Sequence, residues 1–215
     1  MPQSRYVQTL NDTSFRWYPL ASMGWIPVGA RTPKVSYFAE YQKLDGTKIA
    51  ERLNEFRVRY VREFTTGHIL DIGIGSGAFL TAHGNCCGYD VDPMGVTWLE
   101  NTGLYVDPYD PDCDLSAFGG VTFWDSLEHI EAPELLLDRI TTQYVFVSIP
   151  IFRNLGHVLR SKHHKPNEHY FYFTDDGIRL FMVGQGFKFM ASSNEEQVIG
   201  REDIMTYVFR RPEVS

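Results

Sequence analysis

The stretch His68-Ile-Leu-Asp-Ile-Gly-Ile-Gly-Ser-Gly77 decides how this chain is read. His68 to Ile72 is a short apolar run, the kind that forms a buried parallel strand. Gly73, Gly75 and Gly77 follow at two-residue spacing, and the spacing predicts a helix over Ser76 to Ala82 that ends at Gly84. Glycines between a strand and a helix let the backbone turn sharply and approach a ligand closely. Asp71 lies where the strand gives way to the turn, where a carboxylate can accept from an ammonium group.

Outward from this unit the pattern alternates. Cys86 to Asp90 is a second strand, and Pro93 to Asn101 a helix with Pro at its first position and Gly103 beyond its end. Strands are expected at Leu104 to Val106, Val121 to Trp124 and Tyr144 to Ile149, with a helix at Pro133 to Ile140. Residues 150–173 read as a long polar connection. Thr174 caps a helix that Gly184 and Gly186 stop, and Phe187 to Ala191 and Ile204 to Arg210 complete seven strands. Short buried strands alternating with helices mean an α/β, Rossmann-like, doubly wound, mostly parallel sheet with helices on both faces. Upstream, Gly46-Thr47 opens a helix with Ile49, Leu53, Phe56, Tyr60 and Phe64 on one face and Arg52, Arg57, Arg59 and Arg62 on others. Residues 1–36 are rich in aromatics, Pro and Gly and read as irregular structure or a short hairpin. The expected organisation is an N-terminal extension, 1–45, that caps the acceptor side of a domain at 46–215.

The 215 residues suffice for one domain with a sizeable core. Acidic residues outnumber basic ones 27 to 20, a net charge of −7, which argues against a broad nucleic-acid-binding surface. The excess is uneven: residues 1–36 and 151–167 are net basic, and the second segment holds His157, His163 and His164. No apolar run approaches the ~20 residues of a membrane span. No apolar stretch follows Met1, so the cytoplasm is the expected compartment. Cys86 and Cys87 are adjacent and Cys113 stands alone, which excludes a Cys-x-x-Cys metal clamp.

Asp90 closes the second strand in Gly88-Tyr-Asp90-Val-Asp92-Pro93. A carboxylate there, beside the glycine-rich turn, can take both hydroxyls of a ribose. The turn also satisfies the G-x-G-x-x-A nicotinamide fingerprint through Ala78. The pattern D-x-G-x-G-x-G with an acid at the end of the next strand is more specific for S-adenosyl-L-methionine.

From about residue 37 to 211 the chain resembles a class I S-adenosyl-L-methionine-dependent methyltransferase, of the family that holds the ubiquinone-biosynthesis O-methyltransferases and many bacterial and phage relatives. The matching residues are Leu70 to Gly77, Gly88-Tyr-Asp90, Val121-Thr-Phe-Trp-Asp-Ser-Leu-Glu-His-Ile130, Ser148-Ile-Pro150 and Leu53-Asn-Glu-Phe-Arg57. The resemblance implies an antiparallel last strand. It implies that Gly73, Ile74, Gly75 and Gly77 line the methionine and ribose, that Asp71 holds the amino group, and that Asp90 and Val91 hold the adenosine side. Trp124 and Asp125 border the methyl-transfer point, and residues 105–110 run past the adenine. Arg57 either reaches the cofactor carboxylate or lies on a solvated helix face.

Methyl transfer is a direct displacement at a sulfonium, so the protein aligns the reactants and at most removes a proton. The candidate catalytic residues are Asp125, His129 and His164, with His157, His163 and His169 in the same loop region. A metal site at His163, His164 and His169 is set aside, because adjacent histidines seldom bind one ion together; no metal is expected. The chain lacks the Asp/Asn-Pro-Pro-Tyr motif of amino-methylating DNA enzymes and the Pro-Cys of cytosine-C5 enzymes. The reading is therefore a monomeric or homodimeric enzyme with a small-molecule acceptor, anionic in view of the basic loop, methylated on oxygen. The alternatives are a non-catalytic cofactor-binding or virion-assembly protein, a nucleic-acid methyltransferase, and a nicotinamide oxidoreductase.

Overall fold

The computed structural model describes residues 8–9, 15–26 and 37–212. In chain order the elements are β1 (Gln8–Thr9), β2 (Arg16–Tyr18), β3 (Met23–Trp25), α1 (Tyr37–Gln42), α2 (Lys48–Arg62), β4 (Ile69–Ile72) and α3 (Ala78–His83). There follow β5 (Cys86–Tyr89), α4 (Pro93–Thr102), β6 (Gly120–Trp124), α5 (Pro133–Arg139), β7 (Tyr144–Pro150) and α6 (Leu155–Val158). The last are β8 (Phe171–Phe173), α7 (Asp175–Gly184), β9 (Lys188–Ser193), α8 (Glu195–Ile199) and β10 (Ile204–Arg210). Single 3₁₀ turns lie at Leu115–Ala117 and Leu127–His129. Thr174 caps α7 as read, and the side chains of Thr47 and Asp92 likewise accept free amides at the starts of α2 and α4.

The main sheet has the order β5-β4-β6-β7-β10-β9. β4 pairs in parallel with β5 and β6, and β6 with β7, while β10 runs antiparallel to both β7 and β9. The expected third strand shrinks to one parallel bridge, Gly88 to Tyr105, held by Gly88 N to Leu104 O at 2.9 Å and Val106 N to Gly88 O at 3.0 Å. It ends because Pro108 has no amide to donate and the Asp107 side chain accepts from Tyr109 N at 2.8 Å, turning the chain. So the sheet has six strands and a bridge rather than seven full strands.

Side-chain alternation builds a core on each face. Leu70, Ile72, Val121, Phe123, Val145 and Val147 point to one side with α5 and α7. Ile69, Trp124, Phe146 and Val208 point to the other with α2 and α3. Asp71 and Thr122 share this second face by the same period of two.

The connection 150–173 is not merely polar loop. It contains α6 and β8, and β8 pairs antiparallel with β3 to close a second sheet, β1-β2-β3-β8. Phe15, Trp17, Ile26, Phe152, Val158 and Tyr172 form its core.

Candidate functional site

The three glycines of the turn after β4 have φ of 79°, 58° and 80° at Gly73, Gly75 and Gly77. L-residues with a side chain rarely adopt such angles. At Gly73 a Cβ would come within 2.6 Å of Ser126 Cβ. Ser126 itself donates to Ile72 O at 2.5 Å, so the segment after β6 lies directly on the turn. At Gly75 the nearest atom to such a Cβ is Tyr41 Cδ2 at 3.9 Å, which leaves open space over that peptide.

Asp71 is buried beneath this cradle. Its Oδ1 accepts from Thr122 Oγ1 at 2.6 Å, and its Oδ2 has no partner among the described residues. Burial pushes its carboxyl up to about 7, against the pull of Thr122 and Arg57. A buried carboxylate oxygen without a donor is costly unless a ligand supplies one, and an ammonium group does so. Asp90 Oδ2 accepts from Ile74 N at 2.9 Å and Oδ1 from Asp92 N at 2.8 Å. A carboxylate offers about four lone-pair positions, and Asp90 also takes a backbone bond from Val91, which leaves one for a hydroxyl. Val91 beside it is exposed. Asp92 also accepts from Phe38 N at 3.0 Å, which draws α1 across this end of the sheet.

Arg57 is not on a solvated face. It is 8% exposed, and its guanidinium grips Glu196 of α8 through Nε at 2.9 Å and Nη2 at 3.3 Å. Nη2 also reaches Asp125 Oδ2 at 3.1 Å, and Arg201 meets the same oxygen at 2.8 Å as well as Glu196. Ser148 Oγ donates to Glu196 Oε1 at 2.8 Å. Burial alone would raise the Asp125 carboxyl, but Arg201 and Arg57 outweigh it and hold it at about 2. Asp125 thus stays ionised and is a poor proton acceptor. Its φ of 55° makes the corner at the end of β6. Trp124, just before it, lies 4.8 Å under the Arg57 guanidinium and edge-on to Phe79, with its indole N–H buried and unpartnered among the described residues.

The turn Leu127–His129 meets the segment before β8, where Tyr170 N donates to Glu128 O at 2.8 Å. This brings together Glu128, His129 and His169, whose ligating atoms all lie within 4.8 Å of one another. The His129 and His169 rings meet edge to face, centroids 4.6 Å apart. His129 Nδ1 is 3.1 Å from Glu168 O. Burial raises the Glu128 carboxyl well above its usual range, and the Asp125 charge adds to this. Burial lowers His129, with Lys165 adding to the effect, and lowers His169 to about 2, so both imidazoles are neutral at pH 7.

The other histidines go elsewhere. His164 packs among Phe15 and Tyr172, His157 pairs with Asp203 at 3.2 Å, and His163 Nε2 is 3.0 Å from Glu202 O. The sequence reading missed Glu128, Glu196 and Arg201. For Glu128 a signal was present, since it precedes His129 in the quoted motif. For Glu196 and Arg201 there was none, because Glu196 pairs with Arg57 on α2 and Arg201 with Asp125 beyond β6, both far away in the chain.

A family model described as a methyltransferase domain matches residues 38–192. The chain belongs to this family. It is therefore an S-adenosyl-L-methionine-dependent methyltransferase of class I. Solved structures share the fold of this methyltransferase. One is a Haloferax volcanii methyltransferase in complex with the Trm112 activator, at 13% identity and TM-score 0.65, covering 87% of this chain and 99% of that one. Another is a Thermotoga maritima methyltransferase at 15% identity and TM-score 0.59, covering 82% and 97%. A third is the Burkholderia thailandensis 1,6-didemethyltoxoflavin N1-methyltransferase, solved with S-adenosylhomocysteine, at 14% identity and TM-score 0.52, covering 90% and 97%. No curated protein sequence matches this methyltransferase. Among the described residues no helix is long and apolar enough to cross a membrane.

Proposed function

We propose that this methyltransferase moves the methyl group to a hydroxyl oxygen of a small-molecule acceptor bound between the glycine-rich turn and the Glu128–His129–His169 cluster. The observation that carries the reading is the buried, unpartnered Oδ2 of Asp71 beside the open backbone at Gly75. Asp71 holds the donor's amino group. Gly73, Ile74, Gly75 and Gly77 line its methionine and ribose, and Asp90 and Val91 hold the adenosine. The donor, when bound, supplies an electrophilic methyl on a sulfonium. Trp124 gives that region a flat apolar wall, and Arg57 and Arg201 hold Asp125 and hence the corner that carries Trp124.

The chain's own contribution is alignment of donor and acceptor and exclusion of water. Of the expected cap at 1–45, the β2–β3 hairpin and α1 are the described parts that would cover this side; the rest lies outside the described residues. Lys162 and Lys165 are matched by Glu202 and Glu168. Attraction for an anionic acceptor therefore rests on the exposed Arg153 and Arg160.

Incubation with isotopically labelled donor and matched panels of phenols, alcohols, amines and oligonucleotides tests the reading. Methyl ethers are the expected products. Transfer to nitrogen alone, or to oligonucleotides alone, overturns it.

A further inference from the structure

We infer that Glu128, His129 and His169 form a binding site for one divalent transition-metal cation. The sequence reading weighed a metal only at His163, His164 and His169 and set it aside because adjacent histidines seldom bind one ion together. The fold separates those three and instead pairs His169 with His129 across the contact between the Leu127–His129 turn and the segment before β8.

Three observations point to a ligand. Glu128 and His169 are 1% and 3% exposed, yet Glu128 Oε2 and His169 Nδ1 have no hydrogen-bond partner among the described residues. Buried polar atoms are almost always satisfied, and two orphans on residues of one cluster call for a shared partner. One ligating atom from each of the three residues lies within 4.8 Å of the others, close enough for a small inward movement to bring all three onto one ion. His129 is oriented as a metal-bound imidazole usually is: its Nδ1–H donates to a backbone carbonyl, Glu168 O, at 3.1 Å, which leaves the Nε2 lone pair for a ligand.

The donor set names the class of cation. Two imidazoles and one carboxylate suit Zn²⁺, Mn²⁺, Fe²⁺ or Co²⁺, whereas Mg²⁺ and Ca²⁺ prefer oxygen alone. Three protein ligands leave positions open. A cation there would lower the pKa of an acceptor hydroxyl. That hydroxyl would lose its proton to solvent, its oxygen would form the C–O bond, and the C–S bond would break to release a neutral thioether. This last consequence rests on the function proposed above; the binding site does not.

The test uses the full chain, stripped with chelator and desalted. Zn²⁺, Mn²⁺ and Co²⁺ are added singly, and metal per chain is measured after gel filtration. One equivalent is expected for at least one of them. Glu128→Gln and His169→Gln are expected to weaken binding at least ~10-fold while keeping the circular dichroism of the parent. In case either variant fails to fold, pulsed electron paramagnetic resonance of Mn²⁺ bound to the unaltered chain is expected to show imidazole nitrogen coupling. No stoichiometric binding of any of the three ions, unchanged binding by His169→Gln, or absence of nitrogen coupling overturns the site. S-adenosylhomocysteine binding is titrated separately, so a failed cofactor site and a failed metal site give different results.

Discussion

Arg57 and Glu196 stand 139 residues apart in the chain and form a two-point ion pair inside the protein, Nε to Oε1 at 2.9 Å and Nη2 to Oε2 at 3.3 Å. Glu196 is fully buried and carries one charge against two arginines, with Asp125 as the second carboxylate. The pair ties α2 to α8, and through Asp125 it holds the end of β6 where Trp124 sits. Such a cluster is costly to desolvate and more costly to break by half.

Glu196→Ala leaves the buried Arg57 and the half-buried Arg201 facing one carboxylate, and its expected cost is ~3–5 kcal/mol of folding stability. Urea unfolding followed by circular dichroism measures it. A cost below ~1 kcal/mol would show that the cluster is hydrated and weakly coupled to the fold.

Asp71 makes both stability and donor binding depend on pH. Its folded carboxyl is raised from 3.8 to about 7. The folded state therefore holds a proton that the unfolded state has lost, and stability falls as pH rises from about 4 to about 7, then levels. An ammonium partner favours the ionised carboxylate, so affinity for S-adenosylhomocysteine should climb up to ~10-fold per pH unit below 7 and flatten above it. Calorimetric titration from pH 6 to pH 8 reads this. Asp71→Asn should abolish the slope and bind weakly throughout; a slope that survives the substitution assigns it to another group.

Gly73 and Gly75 should respond differently to the same added methyl. Gly73→Ala drives a Cβ to 2.6 Å from Ser126 and should lower the melting temperature. Gly75→Ala meets open space, so it should cost only the ~1–2 kcal/mol of a left-handed backbone while cutting donor affinity more than ~10-fold. Equal effects of both on binding and on melting would contradict the assignment of Gly75 to the cradle.

Gly177→Ala tests how the N-terminal hairpin is seated. In an exposed helix this change stabilises by ~1 kcal/mol. Here the new Cβ would lie 2.2 Å from Ser22 O, which also accepts from Thr174 Oγ1 at 3.0 Å. The clash should win, with net destabilisation of ~1–3 kcal/mol and easier tryptic cleavage at Arg16. A stabilised variant would mean that the hairpin yields without cost.

What could be read along the chain was whatever depends on neighbouring residues. The β4–turn–α3 unit, the places of Asp71 and Asp90 at strand ends, the start of α2 at Thr47 and the cap at Thr174 were legible because strand period, glycine spacing and N-cap chemistry act within a few residues. So were the alternating strands whose outcome is a mostly parallel sheet with β10 reversed. β8 was not legible: Phe171, Tyr172 and Phe173 are buried on both faces, show no alternation, and find their partner in Met23, Gly24 and Trp25. The Arg57–Glu196 pair and the meeting of His129 with His169 were hidden for the same reason. A charge or an imidazole has a partner only when two distant segments are packed together, and burial then sets whether that partner must be another side chain or a ligand. The sequence by itself determined the sheet, the glycine turn and the family of the donor site. Only the tertiary structure decided which carboxylates are spoken for, because desolvation and long-range contact are properties of the packed chain.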